Sequence, residues 1–316
     1  MVTLDDIYGA RGVIGARLHR TPILTSATLS RMTGLEVQLK AELLQKTGSF
    51  KPRGVLNKLA ALTPEERARG VIGISAGNHA QALAYGAALE GIACTVVMPE
   101  TAVAGKVAAS RDYGATVIQY GASTIEAFAE YDRLRESGGY TAVHPFNDPL
   151  VVAGQGTVGL EIVEDAPDLE AVVVPLGGGG LISGVALAIK LQRPDVRLVG
   201  VEPEGAPSMF RALEQGHIVA LDSVRTIADG LAAPFTGELV LDIVRRYVDE
   251  VVLVSDAEIA SAVGLLLERS KLLVEPAGAA GVAALLTGKG GLTAGTRVVA
   301  VLSGGNIDPA RLKELL

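Results

Sequence analysis

An α/β fold with two domains of mostly parallel, twisted sheets flanked by helices follows from two features of the sequence. The first is a series of short β-branched runs: VIGIS from Val71, CTVVMP from Cys94, TVIQY from Thr116, AVVVPL from Ala171, RLVGVE from Arg197 and RVVAVLS from Arg297. The second is that each run is followed by an Ala- and Leu-rich segment with helical spacing, the alternation expected of βα units. Strands this uniformly apolar need both faces covered, which sets helices on each side of a parallel sheet. The rhythm through residues 68–144 fits a four-stranded unit inserted in a larger one. The expected division is therefore a small domain at 63–146 and a large domain at 1–62 and 147–316, with the ligand in the cleft between them.

Composition narrows the function. At 316 residues, 49% hydrophobic and 20% charged, the chain can bury a core without disulfide or metal staples. A formal charge of −7 without a basic run argues against a nucleic-acid or anionic-membrane footprint. The single cysteine, Cys94, lies in an apolar run and reads as a small buried hydrophobe in a reducing compartment. The N-terminal MVTLDDIYGARGVIGARLHRTP lacks the apolar core of a signal peptide, and no stretch approaches the ~18 apolar residues of a membrane span. A cytoplasmic location is expected. No fixed-period repeat is visible, and the tail stops soon after the last predicted strand, so no appended regulatory module is expected.

Three polar or glycine-rich clusters follow directly on predicted strands: SAGNHAQ at 75–81, GGGGLISG at 177–184 and SGGN at 303–306. Glycines at strand ends are ordinarily tight turns. In a parallel sheet, however, the carboxyl ends of the strands share one edge where ligands bind, so the three clusters can converge. Gly177, Gly178, Gly179 and Gly180 lack Cβ atoms, which lets backbone N–H groups close on an anion at the start of the helix predicted for ISGVALAIKL. Neither G-x-G-x-x-G nor G-x-x-x-x-G-K-[ST] occurs there, so the phosphate belongs to a cofactor smaller than a dinucleotide or nucleoside triphosphate. Lys51 lies in TGSFKPRG, where Ser49 is expected to cap a helix that tolerates Pro52 in its first turn. Without context a lysine there is simply a solvated first-turn residue.

Taken in order, SFKPRG at 49–54, SAGNHAQ at 75–81, GGGG at 177–180 and SGG at 303–305 resemble the pyridoxal-phosphate enzymes of the tryptophan-synthase fold type, and within them the serine/threonine dehydratase family. The resemblance runs from HRTP at His19 to the C-terminus. It implies pyridoxal 5'-phosphate carried covalently by Lys51, which also serves as catalytic base and acid, in a large cofactor-binding domain. Phe50 would pack against the cofactor, Asn78 would hydrogen-bond its phenolic oxygen, Ser303 would face the pyridine nitrogen, and Gly177 to Gly180 with Leu181 would hold the phosphate. Ser75, Ala76, Gly77, Asn78 and His79 would receive the substrate carboxylate. The implied reaction is dehydration and deamination of L-threonine and/or L-serine to 2-oxobutanoate or pyruvate plus ammonia, in a homodimer or homotetramer.

Two departures stand out. Racemases of this kind carry a second serine in S-S-G-N-H, where this chain has Ala76, which disfavours racemisation. Some relatives bind a divalent cation, Mg2+ or Ca2+, through two acids; Glu202 is retained here, but the second position is Ser208, and no metal site is assigned. His19, His144 and His217 are isolated and read as structural. Glu275 in VEPAGA is placed either at the substrate or in the surrounding core. The alternatives are a serine racemase, a dehydratase of another β-hydroxy amino acid such as hydroxyaspartate, a β-replacement synthase, and a catalytically silent binder of cofactor or amino acid.

Overall fold

The computed structural model describes residues 2–102 and 104–316. Among these residues ten strands alternate with helices: β1 (Ile23–Thr25), β2 (Glu36–Lys40), β3 (Val71–Ile74), β4 (Cys94–Met98), β5 (Thr116–Gln119), β6 (Thr141–Ala142), β7 (Ala171–Pro175), β8 (Arg197–Pro203), β9 (Glu250–Val254) and β10 (Arg297–Val301). They form two sheets, one ordered β1-β2-β10-β7-β8-β9 and the other β5-β4-β3-β6. All neighbours pair in parallel except β1 and β2. The four-stranded sheet is drawn from one continuous segment, and the six-stranded sheet takes strands from both sides of it.

Alternation along each strand explains why the runs are apolar throughout. In β7, Val172 and Val174 enter one core while Ala171 and Val173 enter the core on the opposite face. In β10, Val299 and Val301 go with the first set and Val298 and Ala300 with the second. The four-stranded sheet repeats the pattern, with Val71, Val96 and Met98 on one face and Ile72, Ile74 and Val97 on the other. Cys94 is buried in the first of these layers, and burial pushes its thiol up to about 12.

Helices cover both faces, and one of them sets the position of the Lys51 segment. The helix Pro149–Asp165 starts at Asp148, whose carboxylate accepts from the N–H groups of Leu150 and Val151. It lies so close to the helix Pro52–Ala60 that a Cβ on Gly154 would come within 2.5 Å of the Arg53 carbonyl oxygen. That contact fixes where the chain around Lys51 can run. The parallel strand β3 ends immediately before Ser75, and β7 and β10 end one residue short of Gly177 and Ser303. Among the described residues no helix is long and apolar enough to cross a membrane.

Candidate active site

The approach to Lys51 is an unusual piece of backbone. In the turn Lys46–Gly48 both Thr47 (φ 60°) and Gly48 (φ 71°) are left-handed, a conformation a threonine adopts only when its surroundings impose it. Ser49 then becomes extended and pairs with Gly304. The Phe50 N–H donates to the Ser303 carbonyl at 3.1 Å, and the Gly305 N–H donates to the Gly48 carbonyl at 2.9 Å. The lysine loop and the 303–305 loop are thus zipped together by main-chain bonds.

This arrangement overturns the expected cap. The helix Pro52–Ala60 has Lys51, not Ser49, at its N-cap, with no side-chain capping bond. Ser49 is committed to the extended pairing, and its buried hydroxyl has no hydrogen-bond partner among the described residues. The helix is anchored instead by Arg53, which is 1% exposed. Its guanidinium donates to both oxygens of Glu42, at 2.8 Å each, and to those of Glu161 at 2.6 and 2.9 Å. Lys40, also buried, donates to Glu161 at 2.6 Å and to the Thr21 carbonyl at 2.7 Å. Two cations and two carboxylates therefore neutralise one another beneath the lysine loop.

The Lys51 amine donates to the Pro145 carbonyl at 2.9 Å and stands 5.0 Å from the centre of the Phe50 ring. Burial lowers its pKa to about 8, against the pull of the Glu275 carboxylate. It opens into a cavity of about 470 Å³. All of the residues expected from sequence line this cavity: Phe50, Lys51, Ser75 to His79, Gly177 to Leu181, and Ser303.

Each wall has a structural reason. The tetraglycine segment leads into the helix Gly180–Lys190, whose first-turn N–H groups have no partners within the helix. Gly179 takes φ 98°, and a side chain on Gly178 would run into the ring of Phe146. Phe146 is held in turn by His144, whose Nδ1 accepts from the N–H groups of Phe146 and Asn147 at 3.2 and 2.8 Å. Burial and the nearby Lys51 cation keep His144 down at about 4. On the opposite wall the Ser75 hydroxyl accepts from the Gly77 N–H at 3.0 Å, shaping the entry to the helix Asn78–Glu90. His79 is buried, with Nε2 2.9 Å from the Val143 carbonyl, and its pKa falls to about 3 through burial and Lys51.

Several lining residues carried no sequence signal. Lys106 forms an ion pair with Asp229 at the cavity wall, and the rings of Phe128 and Phe235 meet with centroids 5.8 Å apart. Glu275 proves to be part of the site: its carboxyl accepts from the Asn78 amide at 2.5 Å, and burial raises its pKa to about 7. Its place before the helix Pro276–Leu286 was the available clue. Glu202 lies elsewhere, fully buried on β8. Its carboxylate accepts from the N–H groups of Met209 and Phe210 at 2.9 and 2.8 Å, and burial raises it to about 8. Among the described residues no group of three or more His, Cys, Asp or Glu is placed to hold a metal ion.

A backbone-only loop at a helix start, with an amine, an amide and a hydroxyl in the same cavity, fits a small phosphate-bearing ring. Residues 16–304 match the family described as pyridoxal-phosphate dependent enzyme. The chain belongs to that family. Among relatives of this pyridoxal-phosphate dependent enzyme, the L-threonine ammonia-lyase of Thermotoga maritima is 50% identical over 308 residues, which cover 98% of this chain and 76% of that one. The T.th. threonine deaminase superposes with a TM-score of 0.91 at 43% identity, covering 97% of this chain and 99% of that one. The maize serine racemase superposes with a TM-score of 0.94 at 39% identity, covering 99% and 96%.

Proposed function

We propose that this pyridoxal-phosphate dependent enzyme dehydrates and deaminates L-threonine, with L-serine as a second substrate, giving 2-oxobutanoate or pyruvate and ammonia. The observation that carries this reading is the Lys51 amine, lowered to about 8, in one cavity with four successive glycines at a helix start. The names of the relatives, L-threonine ammonia-lyase and threonine deaminase, give the substrate class.

In this reading Lys51 carries the cofactor, Gly177 to Gly180 and Leu181 hold its phosphate, Phe50 packs on the ring, Asn78 donates to the phenolic oxygen and Ser303 faces the pyridine nitrogen. The bound cofactor supplies an electron sink that makes the substrate Cα–H acidic. Lys51 Nζ takes that proton and passes one to the departing β-hydroxyl; an amine titrating near neutrality suits both steps. Ser75, Ala76, Gly77, Asn78 and His79 receive the substrate carboxylate at the positive end of the helix Asn78–Glu90. Lys106, held in its ion pair with Asp229, stands beside Gly77 of this loop, while Phe128 and Phe235 exclude water. One water leaves in the elimination and one is taken up in hydrolysis, so the net change is loss of ammonia.

The domain division at 62/63 and 146/147, a homodimer or homotetramer and a cytoplasmic location complete the proposal. A racemase reading draws on the likeness to maize serine racemase. Ala76 counts against it, since a methyl group on the cavity wall has no proton to deliver. The test is release of 2-oxo acid and ammonia from the loaded enzyme with L-threonine, L-serine and hydroxyaspartate. Equimolar 2-oxobutanoate and ammonia from L-threonine are expected. Loaded protein that releases no 2-oxo acid from any of them would be a silent binder.

A further inference from the structure

The side-chain amide of Asn78 has two ends, an acceptor and a donor, and which one meets a ligand depends on what holds the other. Glu275 touches the Asn78 Nδ2 at 2.5 Å, but a carboxyl group accepts when ionised and donates when protonated. It cannot by itself fix the amide's orientation. Asn306 can. Its Nδ2 lies 2.7 Å from the Thr47 carbonyl, and a backbone carbonyl only accepts, so this end of Asn306 must be the donor. The same nitrogen lies 2.8 Å from Asn78 Oδ1, which must then be the acceptor. Nδ2 of Asn78 is left at the Glu275 end as a donor.

The surroundings leave Asn306 little freedom. A side chain on Gly48 would collide with its Oδ1, and the carbonyl it binds belongs to left-handed Thr47. The 303–305 loop preceding it is bonded to Gly48 and Phe50. One amide thus ties together the turn before Lys51, the first residue of the helix Asn78–Glu90 and the loop after β10.

We propose that Asn306 is a positioning residue that holds Asn78 with an N–H, rather than a carbonyl, available to the cofactor. The proposal rests on the reading that Asn78 faces the cofactor's phenolic oxygen. A donor there favours the ionised phenol, and an acceptor favours the protonated one.

The test compares the unsubstituted enzyme with Asn306→Asp, of the same shape but unable to donate, and with Asn306→Ala, each loaded with pyridoxal 5'-phosphate. Borohydride reduction and peptide mapping verify attachment at Lys51. The readout is the ratio of the long-wavelength band of ionised phenol to the short-wavelength band of its protonated form. The expected ratio falls at least twofold in Asn306→Ala and further in Asn306→Asp, where Asn78 turns its nitrogen toward the new carboxylate. Unchanged ratios in variants that carry the cofactor on Lys51 overturn the proposal, whatever happens to their melting temperatures. An unsubstituted enzyme that takes up no cofactor overturns the functional reading and this proposal with it. If neither variant folds, the crystal structure of the unsubstituted loaded enzyme decides, and an Asn306 amide beyond about 3.2 Å from Asn78 overturns the assignment.

Discussion

The ring of Phe146 occupies the volume that a side chain on Gly178 would fill. The bare loop and the aromatic behind it are one packing unit, with His144 holding the aromatic by its backbone. Gly178→Ala should therefore push the loop into the cavity, raise the cofactor dissociation constant at least tenfold and cost about 1–3 kcal/mol of stability. Phe146→Ala added to that variant should recover part of the affinity. Fluorescence titration of the apo-proteins with cofactor checks both, and additive losses would show that the two residues do not act together.

Lys51→Ala should abolish borohydride fixation of the cofactor and lower turnover of L-threonine by more than about 10^4, because attachment and proton transfer are lost together. Peptide mapping that places the reduced cofactor on Lys40 or Lys58 would contradict the assignment. Lys40 is a poor rival on structural grounds, being sealed against Glu161 and the Thr21 carbonyl.

The four motifs are legible in the sequence because each has a backbone reason to exist: glycines where a side chain would collide, and polar residues after three parallel strands. Less can be read where geometry depends on distant partners. Strands β1 and β6 have three and two residues and are only partly buried, too short for a pattern. In β2 the apolar residues alternate with Glu36, Gln38 and Lys40, and β9 starts with Glu250 after Asp249 and is only partly buried, so neither resembles the buried runs. Ser49 reads as a cap because nothing local announces its pairing with Gly304. Likewise Phe146, Lys106 and Asp229 reach the cavity only through tertiary packing.

The buried charge cluster beneath the lysine loop gives a third expectation. Arg53→Met leaves Glu42 and Glu161 facing each other with Lys40 alone, and should cost about 3–5 kcal/mol in urea unfolding of the apo-protein. Arg211→Met, which breaks an exposed pair with Glu214, should change it by less than about 1 kcal/mol. Similar losses at both sites would mean that the buried network contributes no more than a surface pair.

His144 supplies a pH test. Its pKa is about 4 in the fold and 6.5 when free, so its contribution is fully present above 6.5 and is lost as pH falls toward 4. Asn at this position could still accept from the Phe146 and Asn147 N–H groups but does not titrate. Relative to His144→Asn, the unsubstituted apo-protein should lose about 1.5 kcal/mol between pH 6.5 and pH 5. The subtraction matters because Glu275 and Glu202, held at about 7 and about 8, gain stability over the same interval. A difference that does not vary with pH would show that His144 is not kept neutral by the fold.

Stereochemistry gives the last expectation. With Ala76 in place, L-serine should yield pyruvate and little D-serine, and Ala76→Ser should raise the ratio of racemisation to elimination. Chiral chromatography decides, and abundant D-serine from the unsubstituted enzyme would show that another group protonates the far face.

The main-chain zipper between Phe50 and Ser303 joins residues about 250 positions apart. On the ribosome the lysine loop emerges early, and the strand end that shapes it emerges long afterwards. Until β10 has been synthesised and paired with β2, the turn at Thr47 and Gly48 lacks the bonds from Gly305 and Asn306 that tie it to the end of that strand. A nascent or truncated chain that lacks this strand would therefore hold Lys51 without the main-chain bonds that join its loop to Ser303 and Gly305. Cofactor capture would then wait for this late strand, and the growing polypeptide would be kept from doing chemistry before its sheet is whole.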